Sequence, residues 1–347
     1  MPRKPVAPTG TPDASGPAPG PVPGSDDAPP RVPVYLISPA SAVPAEAPVQ
    51  ASLAAMRDAG FEPVLDPGAL RTHQRFAGTD AQRAAAFARA AAQSARAVMI
   101  TRGGYGITRL LPRLDFAALA RADKQWIGYS DFTAFQLAML AQAGAVTWSG
   151  PALLDDFAVP AGTPADETTV GALHDALAGR AELLGFPCAG ARGVEVRGTL
   201  WGGNLSLVCA LLGTPWFPKV RGGILFLEEV GEHPYRVERM LGQLLQAGVI
   251  DAQAAVLIGH VNRYTLVARD AGFDMPAVLR RLRGLTRTPI LSGLPVGHDS
   301  PKLTLPHGAT VGLVTEGRQA WLILPHDHDH EDDDPSTPDP REARDDA

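Results

Sequence analysis

The chain has 347 residues, of which 45% are hydrophobic and 20% charged, and a formal net charge of −6. Residues 326–347 alone carry ten acids against two arginines, so the remainder is nearly neutral, at about +2. Such a body lacks the cationic surface that a phosphate backbone or an anionic bilayer demands, which excludes nucleic acid and membrane as principal partners and leaves a metabolite or a peptide.

Ten of the first 30 residues are proline. Neither that segment nor the acidic one has the apolar content to build a core, so residues 1–30 and 326–347 are expected to be disordered tails. The roughly 295 residues between them exceed the usual size of one domain, about 100–200 residues, and predict two. No run approaches the roughly 18 apolar residues of a membrane span, and Pro and Gly occupy the place of a signal peptide's apolar region, which predicts a cytoplasmic protein. Cys188 and Cys209 are too few for a disulfide framework or a cysteine zinc site and are assigned to packing.

From residue 32 onward, short β-branched or aliphatic runs alternate with longer helical stretches, the pattern of βαβ units. VPVYLIS is followed by an Ala-rich helical segment at 45–60, FEPVLD, a helix at 79–95, ARAVMIT, a glycine turn, ITRLLPRLDFAALA, QWIGYS, a helix at 131–142 and AVTWSGP. The predicted first domain, 31–152, is therefore a Rossmann-like parallel sheet whose ligand-binding loops lie at the carboxyl ends of its strands, after Ile100 and Tyr129. Residues 153–192 show no strong strand and are expected to be a linker. Residues 193–325 then read as VEVRGTLWG, NLSLVCALLG, GILFLEEVG, a helix at 234–248, AAVLIGH, a helix near 275–282, TPILSGLPVGH, LTLPHGATVGLV and RQAWLILP. Strands outnumber helices towards its end, which predicts a mixed, strand-rich α/β domain with an antiparallel portion.

The glycines of Arg102-Gly103-Gly104-Tyr105-Gly106 suit either a tight turn or a cradle of bare N–H groups for an anion or oxyanion. The dinucleotide reading fails, because Arg109 stands where GxGxxG needs its third glycine, and no GK[ST] follows. Ser130 ends a strand and precedes an apolar helix, so it suits a helix N-cap or a nucleophile lifted above the sheet on a sharp strand-to-helix turn. Gly128 matches the first glycine of G-x-S-x-G; Phe132 replaces the second. A serine nucleophile needs a base and a group that orients it. Glu228, at the end of GILFLE, and His298, in GLPVGHDS, both stand at strand ends and supply those types; solvated strand-end residues are the alternative. Glu228 and Glu229 point to opposite sides if the strand continues through them. No HExxH or CxxC is present, and the cluster His326-Asp327-His328-Asp329-His330 has no rigid frame to orient ligands, so no metal site is predicted.

Taken together, RGGYGITRLL, GYSDFTA, GTLWGGNLSL, LLGTPW, ILFLEEVGEHPYRVERML and GLPVGH closely resemble the L,D-carboxypeptidases, or muramoyltetrapeptide carboxypeptidases, of the Ser-Glu-His serine peptidase family. The resemblance covers residues 34–324, in order. It implies a Rossmann-like N-terminal domain bearing the nucleophile Ser130, a C-terminal domain bearing Glu228 and His298, and a site in the cleft between them. It further implies oxyanion donors in the backbone N–H groups of Asp131 and Gly104, with Arg102 a candidate for the substrate carboxylate. The implied reaction is release of terminal D-alanine from murein tetrapeptides in cell-wall recycling, in the cytoplasm, by a homodimer with no metal or organic cofactor. Two alternatives remain: a microcin-immunity-type amide hydrolase of the same family, and a non-catalytic two-domain ligand-binding protein.

Overall fold

The computed structural model describes residues 30–160 and 162–325; residues 1–29 and 326–347, with the histidine cluster, lie outside them. The first sheet is built from β1 (Val32–Ile37), β2 (Phe61–Leu65), β3 (Ala97–Ile100), β4 (Gln125–Gly128) and β5 (Thr147–Ser149), all parallel, in the order β2-β1-β3-β4-β5. Parallel neighbours need crossovers, here α1 (Val49–Asp58), α2 (Asp80–Ala91), α3 (Phe116–Arg121) and α4 (Thr133–Ala143). A capping box starts α2, with Thr79 and Gln82 each accepting from the other's backbone N–H, which satisfies two of the donors that a helix start leaves open. In α4, every residue from Thr133 to Met139 is buried, which its nearly all-apolar sequence permits.

The stretch expected to be a linker is structured. It holds α5 (Leu153–Asp156), α6 (Glu167–Leu177), β6 (Leu183–Pro187) and β7 (Ala189–Gly190). Leu153 and Leu173 enter the core of the first sheet beside Val34 and Phe61. β6 is an edge strand in which only Phe186 is buried, so the apolar alternation that would announce a strand is missing from its sequence.

The second sheet comprises β8 (Glu195–Asn204), β9 (Ile224–Val230), β10 (Ala255–Asn262) and β11 (Ile290–Ser292), which run parallel. Their crossovers are α7 (Leu205–Leu211), α8 (Pro234–Gln246) and α9 (Met275–Leu285). The last three strands are β12 (Leu305–His307), β13 (Thr310–Glu316) and β14 (Gln319–Ile323). β13 and β14 extend the second sheet in antiparallel fashion, giving the order β6-β14-β13-β8-β9-β10-β11-β7. β12 instead pairs antiparallel with β5 and completes the first sheet. The molecule is thus a mixed α/β structure with a parallel-sheet N-terminal part and a mixed C-terminal part. One apolar cluster joins them: Ile100, Phe132 and Phe135 pack with Trp201, Leu205 and Leu225. The backbone N–H of Asn204, at the end of β8, donates to Thr133 Oγ1 at 3.0 Å, so the start of α4 abuts the carboxyl edge of the second sheet. Among the described residues no helix is long and apolar enough to cross a membrane.

Candidate active site

Past β4 the backbone is extended at Tyr129 and then turns left-handed at Ser130, with φ of 61°. A non-glycine residue pays roughly 1 kcal/mol or more for that conformation, a strain that persists where the surroundings over-determine it, as at functional sites. No side chain caps the turn Ser130–Phe132 that leads into α4. The N-cap alternative fails, because the left-handed φ swings the hydroxyl away from the first helical turn. Ser130 Oγ lies 3.0 Å from His298 Nε2 instead.

The other imidazole nitrogen, His298 Nδ1, lies 2.8 Å from Glu228 Oε2. A carboxylate only accepts, so Nδ1 carries the proton and Nε2 is free to accept from the serine hydroxyl. The side chains of His298 and Glu228 are 11% and 3% exposed, which keeps the pair out of competing water. The chain reaches His298 through Gly297, whose φ is 127°; a Cβ there would lie 3.1 Å from Glu228 Oε2 and 2.8 Å from the Cβ of His260. Glu229 points the other way. It accepts from Asn204 Nδ2, from the N–H and Oγ of Ser206, and from the N–H of Val230, at 2.7–3.2 Å. It thereby anchors the start of α7, and burial raises its pKa above the ordinary carboxylate value.

The glycine turn after β3 packs directly on the serine. A Cβ on Gly103 would come within 2.8 Å of Ser130 Cβ and Oγ and 3.7 Å of the backbone nitrogen of Asp131. Gly104 is exposed, with φ of 116°, and a Cβ there would overlap Ser41 Oγ at 2.2 Å. The residue that faces the nucleophile is therefore Gly103, which the sequence reading passed over, with Gly104 next to it on the open side. The Asp131 side chain is buried and accepts from the N–H of Ile107 at 2.9 Å, tying this turn to the serine turn. Burial raises the Asp131 carboxyl to about 6. Arg102 is half-buried, its Nη1 donating to the carbonyl of Ala42 at 3.1 Å.

Three further groups touch the histidine or its neighbours. The Tyr129 ring meets the His298 imidazole edge-on, with centroids 4.9 Å apart. Lys302 Nζ donates to Tyr129 Oη at 3.2 Å and pairs with Asp156. Arg263 Nη2 donates to the carbonyl of His298 at 2.5 Å. The only sequence signal for Lys302 was a lysine inside the apolar run PKLTLP, four residues after the histidine. Cys209 is excluded as a nucleophile, since burial pushes its thiol up to about 12.

Two family models match the chain, one after the other. Residues 34–150 match the family model described as LD-carboxypeptidase N-terminal domain, and residues 197–313 match LD-carboxypeptidase C-terminal domain. The murein tetrapeptide carboxypeptidase of Pseudomonas aeruginosa is 30% identical over 298 residues, covering 83% of this chain and 94% of its own. The crystal structure of a muramoyltetrapeptide carboxypeptidase from Oxalobacter formigenes superposes with a TM-score of 0.76 at 36% identity, over 85% of this chain and 99% of that one. The microcin C7 self-immunity protein MccF of Escherichia coli is more distant, 27% identical over 244 residues, or 62% of this chain and 70% of its own.

Proposed function

The chain belongs to the LD-carboxypeptidase family and is a carboxypeptidase, and we propose that it is a serine-type enzyme that releases terminal D-alanine from murein tetrapeptides. The observation that carries this reading is the continuous chain Ser130 Oγ to His298 Nε2 at 3.0 Å and His298 Nδ1 to Glu228 Oε2 at 2.8 Å. Ser130 attacks the carbonyl carbon of the bond to D-alanine while Nε2 takes its proton, and Glu228 stabilises the imidazolium. We infer that the oxyanion is held by the backbone N–H groups of Asp131, which follows the nucleophile in the chain, and of Gly104, in the glycine turn whose Gly103 packs on it. Collapse breaks the C–N bond, Nε2 delivers the proton to the departing amine, and the acyl-enzyme is hydrolysed by a water that the same imidazole activates.

Arg102, beside the glycine turn, supplies the cation for the terminal carboxylate. We infer that a homodimer performs this reaction in the cytoplasm, on fragments of recycled cell wall, as in the family that the chain resembles. The first domain, 31–152, would carry the nucleophile and the second, 193–325, the acid and base. Mass spectrometry of a tetrapeptide with meso-diaminopimelate or L-lysine at position three, incubated with pure enzyme, is expected to show free D-alanine and the tripeptide. Amidation of the D-alanine carboxylate should slow cleavage, and Arg102→Ala should erase that difference. An intact tetrapeptide beside a cleaved aminoacyl-nucleotide amide would move the enzyme to the microcin-immunity type, and cleavage of neither would overturn the murein substrate.

A further inference from the structure

The histidine is carried by a segment that passes from one sheet to the other. The chain leaves the second sheet at Ser292, presents His298, and joins the first sheet as β12 seven residues later. Midway stands Lys302, 3% exposed. Its backbone N–H donates to Thr169 Oγ1 of α6 at 2.9 Å, and its ammonium pairs with Asp156 of α5, itself 6% exposed. The same ammonium donates to Tyr129 Oη and sits 4.3 Å from the centre of the Tyr129 ring. That ring is the one whose edge meets the His298 imidazole, and Tyr129 is bonded directly to Ser130. Every one of these contacts ties the histidine segment to elements of the first sheet, where the serine resides.

Energetics give no reason to keep such a pair for stability alone. Taking two charges out of water costs about as much as their attraction returns, and well-packed apolar replacements are often neutral or stabilising. A buried pair does fix geometry, because neither partner can leave without stranding the other.

We propose that Lys302, paired with Asp156, is a positioning residue: it fixes the Tyr129 ring and the His298 segment so that the imidazole of one sheet meets the serine of the other. This rests on the Ser-Glu-His reading above. The variant Lys302→Met/Asp156→Asn removes both charges and keeps an oxygen for the Ala152 N–H, which now donates to Asp156 Oδ2. It is expected to fold, with an unfolding midpoint near that of the wild type, yet to lose about 10- to 100-fold in kcat for D-alanine release with KM changed less than about two-fold, the signature of a displaced reacting group. A folded double variant with wild-type kcat overturns the proposal. Should the double variant not fold, Tyr129→Phe decides: it keeps the ring but cuts its bond to Lys302, and an unchanged kcat overturns the proposal while a several-fold loss supports it. The NMR resonance of the His298 Nδ1 proton, shared with Glu228, is read in parallel. It needs no substrate, so it separates the two readings. Absence of D-alanine release by the wild type would sink the proposed function, whereas a proton resonance identical in wild type and variants would sink the positioning role.

Discussion

The two halves of the candidate site are built in different ways. On the first sheet the nucleophile is fixed by local backbone: the extended Tyr129, the left-handed Ser130 and the glycine turn packed on it all lie within about 30 residues of chain. On the second sheet the acid and base are fixed by distant partners. Glu228 and His298 are 70 positions apart, and His298 and Ser130 are 168 apart. The serine half stores strain in one residue, and the histidine half relies on a buried salt bridge and a crossing strand. Local strain sets a direction for the nucleophile, but distance to the base is set only when both sheets are packed.

That contrast is tested most strongly at the serine. Ser130→Gly should reduce D-alanine release by roughly 10⁶-fold, as loss of a triad nucleophile does. The same change should raise stability by about 1 kcal/mol, since glycine adopts a φ of 61° without penalty. Chemical denaturation that showed a loss of stability would mean that the hydroxyl supports the helix start after all. On the opposite half, Glu228→Gln should lower kcat by about 10⁴-fold, because the histidine loses the carboxylate that holds its tautomer. Its neighbour gives the control. Glu229→Gln should leave kcat near that of the wild type but cost about 1–3 kcal/mol, since an amide nitrogen would face donors now bonded to an oxygen. Steady-state kinetics and denaturation on both variants check the ranking, and the reverse order would transfer the catalytic role to Glu229.

An effect on stability alone, and not on catalysis, concerns the strand by which the histidine segment joins the first sheet. His307 in β12 is fully buried beside Phe226, and burial lowers its pKa to about 4. The unfolded chain has the ordinary histidine value of about 6.5. Between these values, as pH falls, the unfolded state gains a proton that the folded state refuses. Stability should therefore be complete above about pH 6.5 and decline by about 3 kcal/mol towards pH 4. Urea titrations at several pH values should show this acid limb, and His307→Leu should flatten it. An unchanged limb would place the acid sensitivity elsewhere.

Much of this was legible before any coordinates. The alternation of aliphatic runs with helical stretches marks a parallel α/β sheet because a strand repeats every two residues and a helix every 3.6, and both periods are written in neighbouring side chains. The same local logic put Ser130 at a strand end and placed Glu228 and Glu229 on opposite faces. Tertiary structure alone decided the rest. β6 lacked apolar alternation because it lies at an edge, and its pairing with β14 rests on a partner more than a hundred residues away. β12 reads as part of the second half in sequence yet closes the first sheet. The left-handed φ of Ser130, the approach of Gly103 rather than Gly104 to its hydroxyl, and the bond from Lys302 to Asp156 across 146 positions are all imposed by packing. Local spacing encodes which face a side chain takes, whereas the meeting of distant groups depends on how two complete sheets bury their common core.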